Sequence, residues 1–381
     1  MLQHSLKTIL GILLLQASST ALAFTLIELP DLTLLPEEIA PSTTITDSMT
    51  LTSQIQPVAG AIKARLFSAR RANKSKKMAQ YGNMLAANSY VDSISDVDHM
   101  MLAYNDLASN GSSGGSSGSS GGDAKSLWIT SSYSSLKNSL TQTRFDGDVH
   151  ILLAGYDRTL SDKYILGVAL SHESSNFNTR FNSGNAKTRG FNISPYVAVL
   201  LSDSWSFDLS LGHGKFNTDQ YRTTIVTSPT VDSDFSSTRD FLSTNLTGIS
   251  ALGDWNLTGS VGIFAAKQKQ DAYVENGGFS VDASSQTIKQ WNLAGEAAYV
   301  HLDSESYLGL MYEKDTNPDE LNLPGSTAAG EQPGSDADSY LLTAGWRHFG
   351  KDLTANFAFT SRLGQNKITD NGFSITIRTD F

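Results

Sequence analysis

The chain has 381 residues, with 28 Lys or Arg against 38 Asp or Glu, a formal net charge of −10. That balance argues against a nucleic-acid partner, and the absence of cysteine removes disulfide and thiol chemistry. At 39% hydrophobic and 17% charged with 31 glycines, the composition is too polar for a bundle of membrane helices. It suits a membrane barrel, in which only alternate residues meet lipid, and also a large acidic soluble β-protein.

In chain order, Lys7 precedes the apolar run Ile9 to Leu15, and small residues follow as far as Ala21-Leu22-Ala23. This pattern predicts a secretory signal peptide over 1–23, cut before Phe24. An anchor helix is disfavoured because the run is too short to cross a bilayer, and no other apolar run is long enough for a helical span. Residues 24–50 carry Pro30, Pro36 and Pro41 among Thr, Ser and acids, which predicts an extended or disordered stretch.

A helical segment is expected over 51–108. Val58, Ile62 and Leu66 recur every four residues on one helix face, and Pro57 suits a first-turn position. Seven of the basic residues crowd into a short stretch here: Lys63, Arg65, Arg70, Arg71, Lys74, Lys76 and Lys77. A second helix-like stretch runs from Ala79 to Leu107. Ser109 to Gly122 is almost pure Gly and Ser, so 109–124 is expected to be a flexible linker spanning on the order of 20 Å.

From 125 to 381 the pattern is β throughout. Trp205, Phe207, Leu209 and Leu211 alternate with Ser206, Asp208, Ser210 and Gly212, and Leu353, Ala355, Phe357 and Phe359 alternate with Thr354, Asn356, Ala358 and Thr360. The last stretch places Phe373, Ile375, Ile377, Thr379 and Phe381 on one face and Ser374, Thr376, Arg378 and Asp380 on the other. Tight turns are expected at Leu160–Lys163, Leu201–Ser204, Leu252–Asp254, Leu302–Glu305 and Phe349–Asp352, with longer polar connections between them, such as Gly214 to Asp234 and Asp315 to Asp336. Five short and six long connections join twelve strands. A soluble sandwich would explain the alternation of residues but not this alternation of loop lengths. The fold expected is therefore all-β: a 12-stranded antiparallel transmembrane β-barrel preceded by a short helical N-terminal segment. In it Asp208, Glu296, Arg347 and Arg378 are expected to be charges of the lumen, and Trp128, Tyr164, Trp205, Trp255, Trp291, Tyr307, Trp346, Phe349 and Phe381 to be interfacial aromatics.

Several ordered pieces resemble the translocator barrel of autotransporters, the type V secretion family. They are Leu127-Trp128-Ile129 opening a strand, Phe145-Asp146-Gly147-Asp148 before the second strand, Ala154 to Leu160, Leu166 to Ser171, and the terminal Phe381. The resemblance covers about 125–381 and the basic helix before it. It implies an outer-membrane location in a Gram-negative cell and a helix threaded through the lumen, here with Lys63, Arg65, Arg70 and Arg71. It also implies export or surface display of the segment ahead of that helix. The terminal strand resembles the signal read by the barrel-assembly machinery, with Phe373, Ile375, Ile377 and Phe381 at its apolar positions, and Thr379 departing from the pattern. Outer-membrane lipid, that machinery and periplasmic chaperones are the partners implied, for a monomer. The long β-helical passenger of many members has no counterpart in residues 24–50, and the basic helix lacks the Asn-Asn pair at which some members are cut.

No catalytic, cofactor or metal site is expected. Asp92, Asp96, Asp98 and His99 lack the glycine and closing glutamate of a calcium loop, and no G-x-S-x-G elbow is present. His172 and His213, near Glu173 and Asp208, are the residues a barrel hydrolase would use, and they are better read as rim or lumen hydrogen-bonding groups. Two rival functions remain compatible with a barrel: a stand-alone narrow channel, and an adhesin surface formed by the loops, neither with an exported passenger.

Overall fold

Period-two alternation leaves a sheet with one apolar and one polar face, and a sheet long enough to curl removes its own edges by closing. The computed structural model of the chain describes residues 50–64, 66, 125–139, 144–161, 163–223, 230–316, 338–350, 353–365 and 367–381. The strands are β1 (Lys125–Asn138), β2 (Phe145–Leu160), β3 (Tyr164–Thr179), β4 (Gly184–Leu200), β5 (Trp205–Thr223), β6 (Thr230–Leu252) and β7 (Trp255–Gln270). They continue as β8 (Tyr273–Val274), β9 (Ser280–Val281), β10 (Ser284–His301), β11 (Ser304–Asp315), β12 (Asp338–Phe349), β13 (Leu353–Leu363) and β14 (Ile368–Asp380). All but β8 and β9 form one closed barrel in which every neighbouring pair is antiparallel. Twelve barrel strands are thus present among the described residues, the number that the connections predict.

β1 and β14 close the barrel, from Ser126 opposite Asp380 to Asn138 opposite Ile368. At the seam the Phe381 amide donates to the Lys125 carbonyl at 2.9 Å and the Lys125 amide to the Phe381 carbonyl at 3.2 Å. Burial follows the alternation. On β5, Trp205, Phe207 and Leu211 are exposed while Ser206, Asp208 and Ser210 are buried. The exposed face is the apolar one, the inverse of a water-soluble protein and the arrangement lipid requires.

The connections differ from expectation at one end. The five tight turns are where they were predicted, but Gly214 to Asp234 is mostly strand, because β5 runs on to Thr223 and β6 begins at Thr230. The connections 180–183 and 364–367 are also short, so loop length is less asymmetric than the sequence suggested. The extra strand length survives because its inner face is covered. The β8–β9 hairpin packs there: Tyr273 stacks on Phe235 with ring centroids 4.9 Å apart, and Arg222 donates twice to the buried Glu275 carboxylate, at 2.7 Å from Nη2 and 3.0 Å from Nε.

Helix α1 occupies residues 50–64. Pro57 therefore lies in the helix interior and not in its first turn, because the backbone is already helical at Thr50. A proline there cannot donate to the carbonyl one turn back, and burial of the surrounding helix compensates. Leu51, Ile55, Val58 and Ile62 are at most 4% exposed and belong to one core with Leu136, Val149, Ile151, Leu153 and Ile165.

Close approach in the wall requires glycine at several places, of which two bear on the ring packing. A Cβ on Gly155 would overlap the Trp128 indole, and one on Gly345 would overlap the Tyr307 ring. Trp128 and Tyr307, expected among the interfacial aromatics, instead face inward and are 1% and 7% exposed. The Trp128 indole Nε1 donates to Tyr196 Oη at 2.9 Å and Tyr196 in turn donates to Asp157 at 2.8 Å, which satisfies the buried polar atoms. Gly155→Val should overpack this unit at a cost of about 1–3 kcal/mol. The expected readout is a lower temperature for loss of the fast-migrating folded band on a semi-native gel.

Candidate functional site: the occupied lumen

α1 meets the barrel through an apolar stripe and through polar side chains on its other faces. The apolar partners come mainly from the inward positions of β1, β2 and β3. β2 supplies Val149, Ile151 and Leu153 inward while Leu152 faces out, so this strand is apolar on both faces at its centre. The lumen is thus not uniformly polar: a quarter to a third of its circumference (three or four strands of twelve) forms a dry seat for the helix.

Two arginines grip α1 from the remaining wall. Arg362 on β13 donates to Gln56 Oε1 at 2.6 Å and also pairs with Glu313 and, at 3.3 Å, with Asp370. Gln56 Nε2 donates to Glu313 at 2.6 Å and more weakly to Gln290 at 3.3 Å. Ser53 donates to Asp370 at 2.9 Å. Arg239 on β6 donates to Gln54 Oε1 at 2.8 Å, to Glu173 at 2.6 Å and to Gln268 at 3.0 Å, with its guanidinium 4.0 Å above the Phe216 ring. Both arginine side chains are 3% exposed, so their carboxylate partners are what make their burial tolerable.

These contacts give α1 a direction. Ser53 and Gln54 bond Asp370 and Ser175, near the connections 364–367 and 180–183. Lys63 Nζ donates to Asn245 at 3.1 Å and to Ser260 at 3.0 Å, in the half of the wall nearer the tight turn 253–254. The helix therefore runs from the end of the barrel opposite the five tight turns toward the tight-turn end. Beside it lies a cavity of about 350 Å³, lined among others by Lys63, Asp208, Asn292, Glu296, Tyr307 and Arg347.

The residues singled out from sequence fall as follows. Asp208, Arg347 and Arg378 are buried and Glu296 is half-buried, all on inward positions. Asp208 accepts from Asn245 at 2.8 Å, and Arg347 donates twice to Glu296, at 2.7 Å each, while lying 3.7 Å over the Tyr307 ring. Arg378 pairs with Asp380 on its own strand. Phe373, Ile375, Ile377 and Phe381 share the outward face of β14. Of the helix cations, Lys63 is in the lumen, and Arg65, Arg70 and Arg71 lie outside the described residues. So do the expected signal peptide, second helical stretch and Gly/Ser linker, and the cluster Asp92, Asp96, Asp98 and His99. His172 and His213 point outward and find neither expected carboxylate: His172 Nδ1 is 3.1 Å from the Gly190 carbonyl, and His213 Nδ1 is 2.7 Å from Asp240. Glu173 and Asp208 face the lumen, because consecutive strand residues point to opposite sides.

Gln54, Gln56, Arg239, Glu313 and Arg362 carried no signal of their own in the sequence. The apolar seat did carry one, in the run Ile151-Leu152-Leu153, too apolar for a strand with a wet inner face.

A family model described as "Autotransporter beta-domain" matches residues 127–364. Among solved structures, the chain is similar to the translocator domain of autotransporter NalP from Neisseria meningitidis, at 13% identity and a TM-score of 0.57 over 79% of this chain and 99% of that one. It is also similar to the β-domain of the Bordetella autotransporter Brka (16% identity, TM-score 0.55, 67% of this chain and 98% of that one). The transport unit of the autotransporter AIDA-I from Escherichia coli matches at 11% identity and a TM-score of 0.50, over 74% and 97%. None of the curated proteins compared matches the chain.

Replacing Arg362 with Met should leave Glu313 and Asp370 facing each other without a counter-charge and lower stability by about 3–5 kcal/mol. Ser339→Ala, which removes one neutral partner of the same cluster, should cost only about 1 kcal/mol. The ratio of the two shifts in thermal midpoint, measured on refolded protein in detergent, checks the assignment.

Proposed function

The chain belongs to the autotransporter β-domain family of Gram-negative outer-membrane translocator barrels, and on that premise we propose that it exports or displays its own N-terminal segment and then keeps residues 50–66 as the plug of its pore. The observation that carries this reading is the direction of α1. Its N-terminal end lies at the barrel end opposite the tight turns, which in an outer-membrane barrel is the outer end. The segment ahead of α1 is then the part delivered to the cell surface, and β1 begins at Lys125 on the periplasmic side.

In this reading residues 1–23 direct the chain to the periplasm, where chaperones keep it unfolded. The outward apolar row Phe373, Ile375, Ile377 and Phe381 is what the barrel-assembly machinery recognises. Asp208, Glu296, Arg347 and Arg378, with the two arginine clusters around Gln54 and Gln56, form the charged wall against which the helix comes to rest. The work is mechanical, done by a monomer without a cofactor. Its driving force is closure of the barrel in lipid, where each strand satisfies its neighbours' backbone groups. A second reading, a narrow channel, is favoured by the cavity beside α1, which leaves part of the lumen unfilled.

An epitope placed beside Phe24 should be removed by protease added to intact cells; an epitope protected until the outer membrane is broken would overturn export. In planar bilayers, deletion of residues 50–66 should raise single-channel conductance several-fold, and unchanged conductance would reject the plug. Deleting Phe381 should lower the amount of folded barrel in the outer membrane and leave chain in the periplasm.

A further inference from the structure

The outer wall carries a charge pattern that translocation does not use. On four strands the outward positions are apolar through the middle and then give way to a cation toward the end opposite the tight turns. Arg189 lies two positions past Phe191 on β4, Lys267 two past Ala265 on β7, and Lys289 two past Trp291 on β10. On β5, Lys215 follows Leu211 after His213. All four cations are exposed.

The register brings them to one level. Phe191 pairs with Lys215, and Ala265 with Lys289. Rows of paired residues climb round the barrel because the strands tilt. One such row starts at Val199 beside a tight turn, passes Phe207, Leu246, Val261 and Leu293, and ends at Tyr312 beside the opposite rim. Each step between strands raises the row by roughly 3 Å at a tilt of about 40°. With that climb included, Arg189, Lys215, Lys267 and Lys289 fall within about 5 Å of a common height, just above the apolar band, over roughly 25 Å of circumference. Lys187 and Lys269 stand one outward position further from the band.

Three observations point to an anionic ligand. Among the described residues, none of these six cations makes an ion pair, whereas Arg180 pairs with Asp146 at 2.6 Å and Lys314 with Asp338 at 3.5 Å elsewhere on the same rim. The carboxylate nearest the belt, Asp240, opposite Lys267, is engaged by His213, and Asp219 stands opposite Lys187 above it. The belt is also one-sided: at the corresponding end of β12, β14, β1 and β2 the outward residues are Asp338, Thr369, Asn371, Asp148 and Asp146, with one cation, Lys137, standing opposite Asp146. Finally, it has no counterpart at the tight-turn end of β5, β7 and β10, where the outward residues are Trp205, Trp255 and Tyr299.

Outward cations at the upper edge of the hydrocarbon meet headgroups anchored in the outer leaflet, not a peptide in the pore. We propose that Arg189, Lys215, Lys267 and Lys289 bind the phosphates of a phosphorylated glycolipid of the outer leaflet, with Phe191 and Trp291 against its acyl chains. Ammonium and guanidinium groups aligned at phosphate level suit a headgroup bearing more than one phosphate monoester.

The test uses the full chain folded in detergent, with diphosphoryl lipid A, chemically dephosphorylated lipid A and phosphatidylglycerol as probes and bound lipid counted by native mass spectrometry. Wild type should bind the diphosphoryl lipid at least about tenfold more tightly than either other probe, with the preference weakening as salt rises. R189Q/K215Q/K267Q/K289Q should lose that preference, while K125Q/R158Q/K163Q at the opposite end should keep it. Heat-modifiable gel mobility establishes folding of each variant. If the quadruple variant does not fold, R189Q/K215Q and K267Q/K289Q should each lose part of the preference. Equal binding of the three lipids by wild type overturns the proposal, as does retained preference in every folded belt variant, or equal loss in the opposite-end variant.

Discussion

A peptide group inside hydrocarbon has no water to turn to, and each unpaired N–H or C=O there costs several kcal/mol. The seam between β1 and β14 removes that cost at the only place where a curled sheet would still have edges. Everything else follows from closure. It defines an inside and an outside and sets the tilt that lines up outward residues from strand to strand. It also brings the two ends of the β-region together, with Lys125 and Phe381 exchanging backbone hydrogen bonds.

Inside the closed wall, the energetics of α1 differ from those of a charged peptide in a watery pore. Its apolar stripe is buried against β1–β3, and its polar grip depends on neutral amides. Gln54 and Gln56 each accept from a buried arginine already committed to carboxylates, so helix and wall meet there without a further ion to desolvate. A side-chain amide both donates and accepts, and Gln56 uses this to bridge Arg362 and Glu313. A lysine or glutamate at that position would repel one of the two.

Outside, the wall is asymmetric along its axis. On β5, β7 and β10 exposed aromatics stand at the tight-turn end and exposed cations above the apolar band at the other. The longest strands, β5 and β6, lie on the cationic side and project well past the roughly 10 residues a crossing requires. The β8–β9 hairpin and the Arg222–Glu275 pair stabilise that projection from within. The projection, the cation belt and the buried Arg222–Glu275 pair thus share one sector of the wall.

Tight turns and the direction in which most strand side chains point were legible in the sequence, because alternation is local and a one-residue slip would turn Phe373, Ile375 and Ile377 from lipid into the lumen. Trp128 and Tyr307, expected in the interfacial belt, are the exceptions, drawn inward by Tyr196 and Arg347. The four-residue spacing of Val58, Ile62 and Leu66 likewise announced a helix. That Pro57 lies inside the helix was not legible, because it is ordinarily a first-turn residue and only the surrounding wall makes it tolerable in the interior. The reach of β5 and β6 was hidden too, since their outer halves look like polar loop until Phe235 and Tyr273 are seen stacked. What the tertiary structure alone decided is who meets whom across the lumen. Arg362 and Gln56 are 306 residues apart in the chain, and no spacing rule joins them. Only a wall closed around the helix brings that guanidinium and that amide to hydrogen-bonding distance.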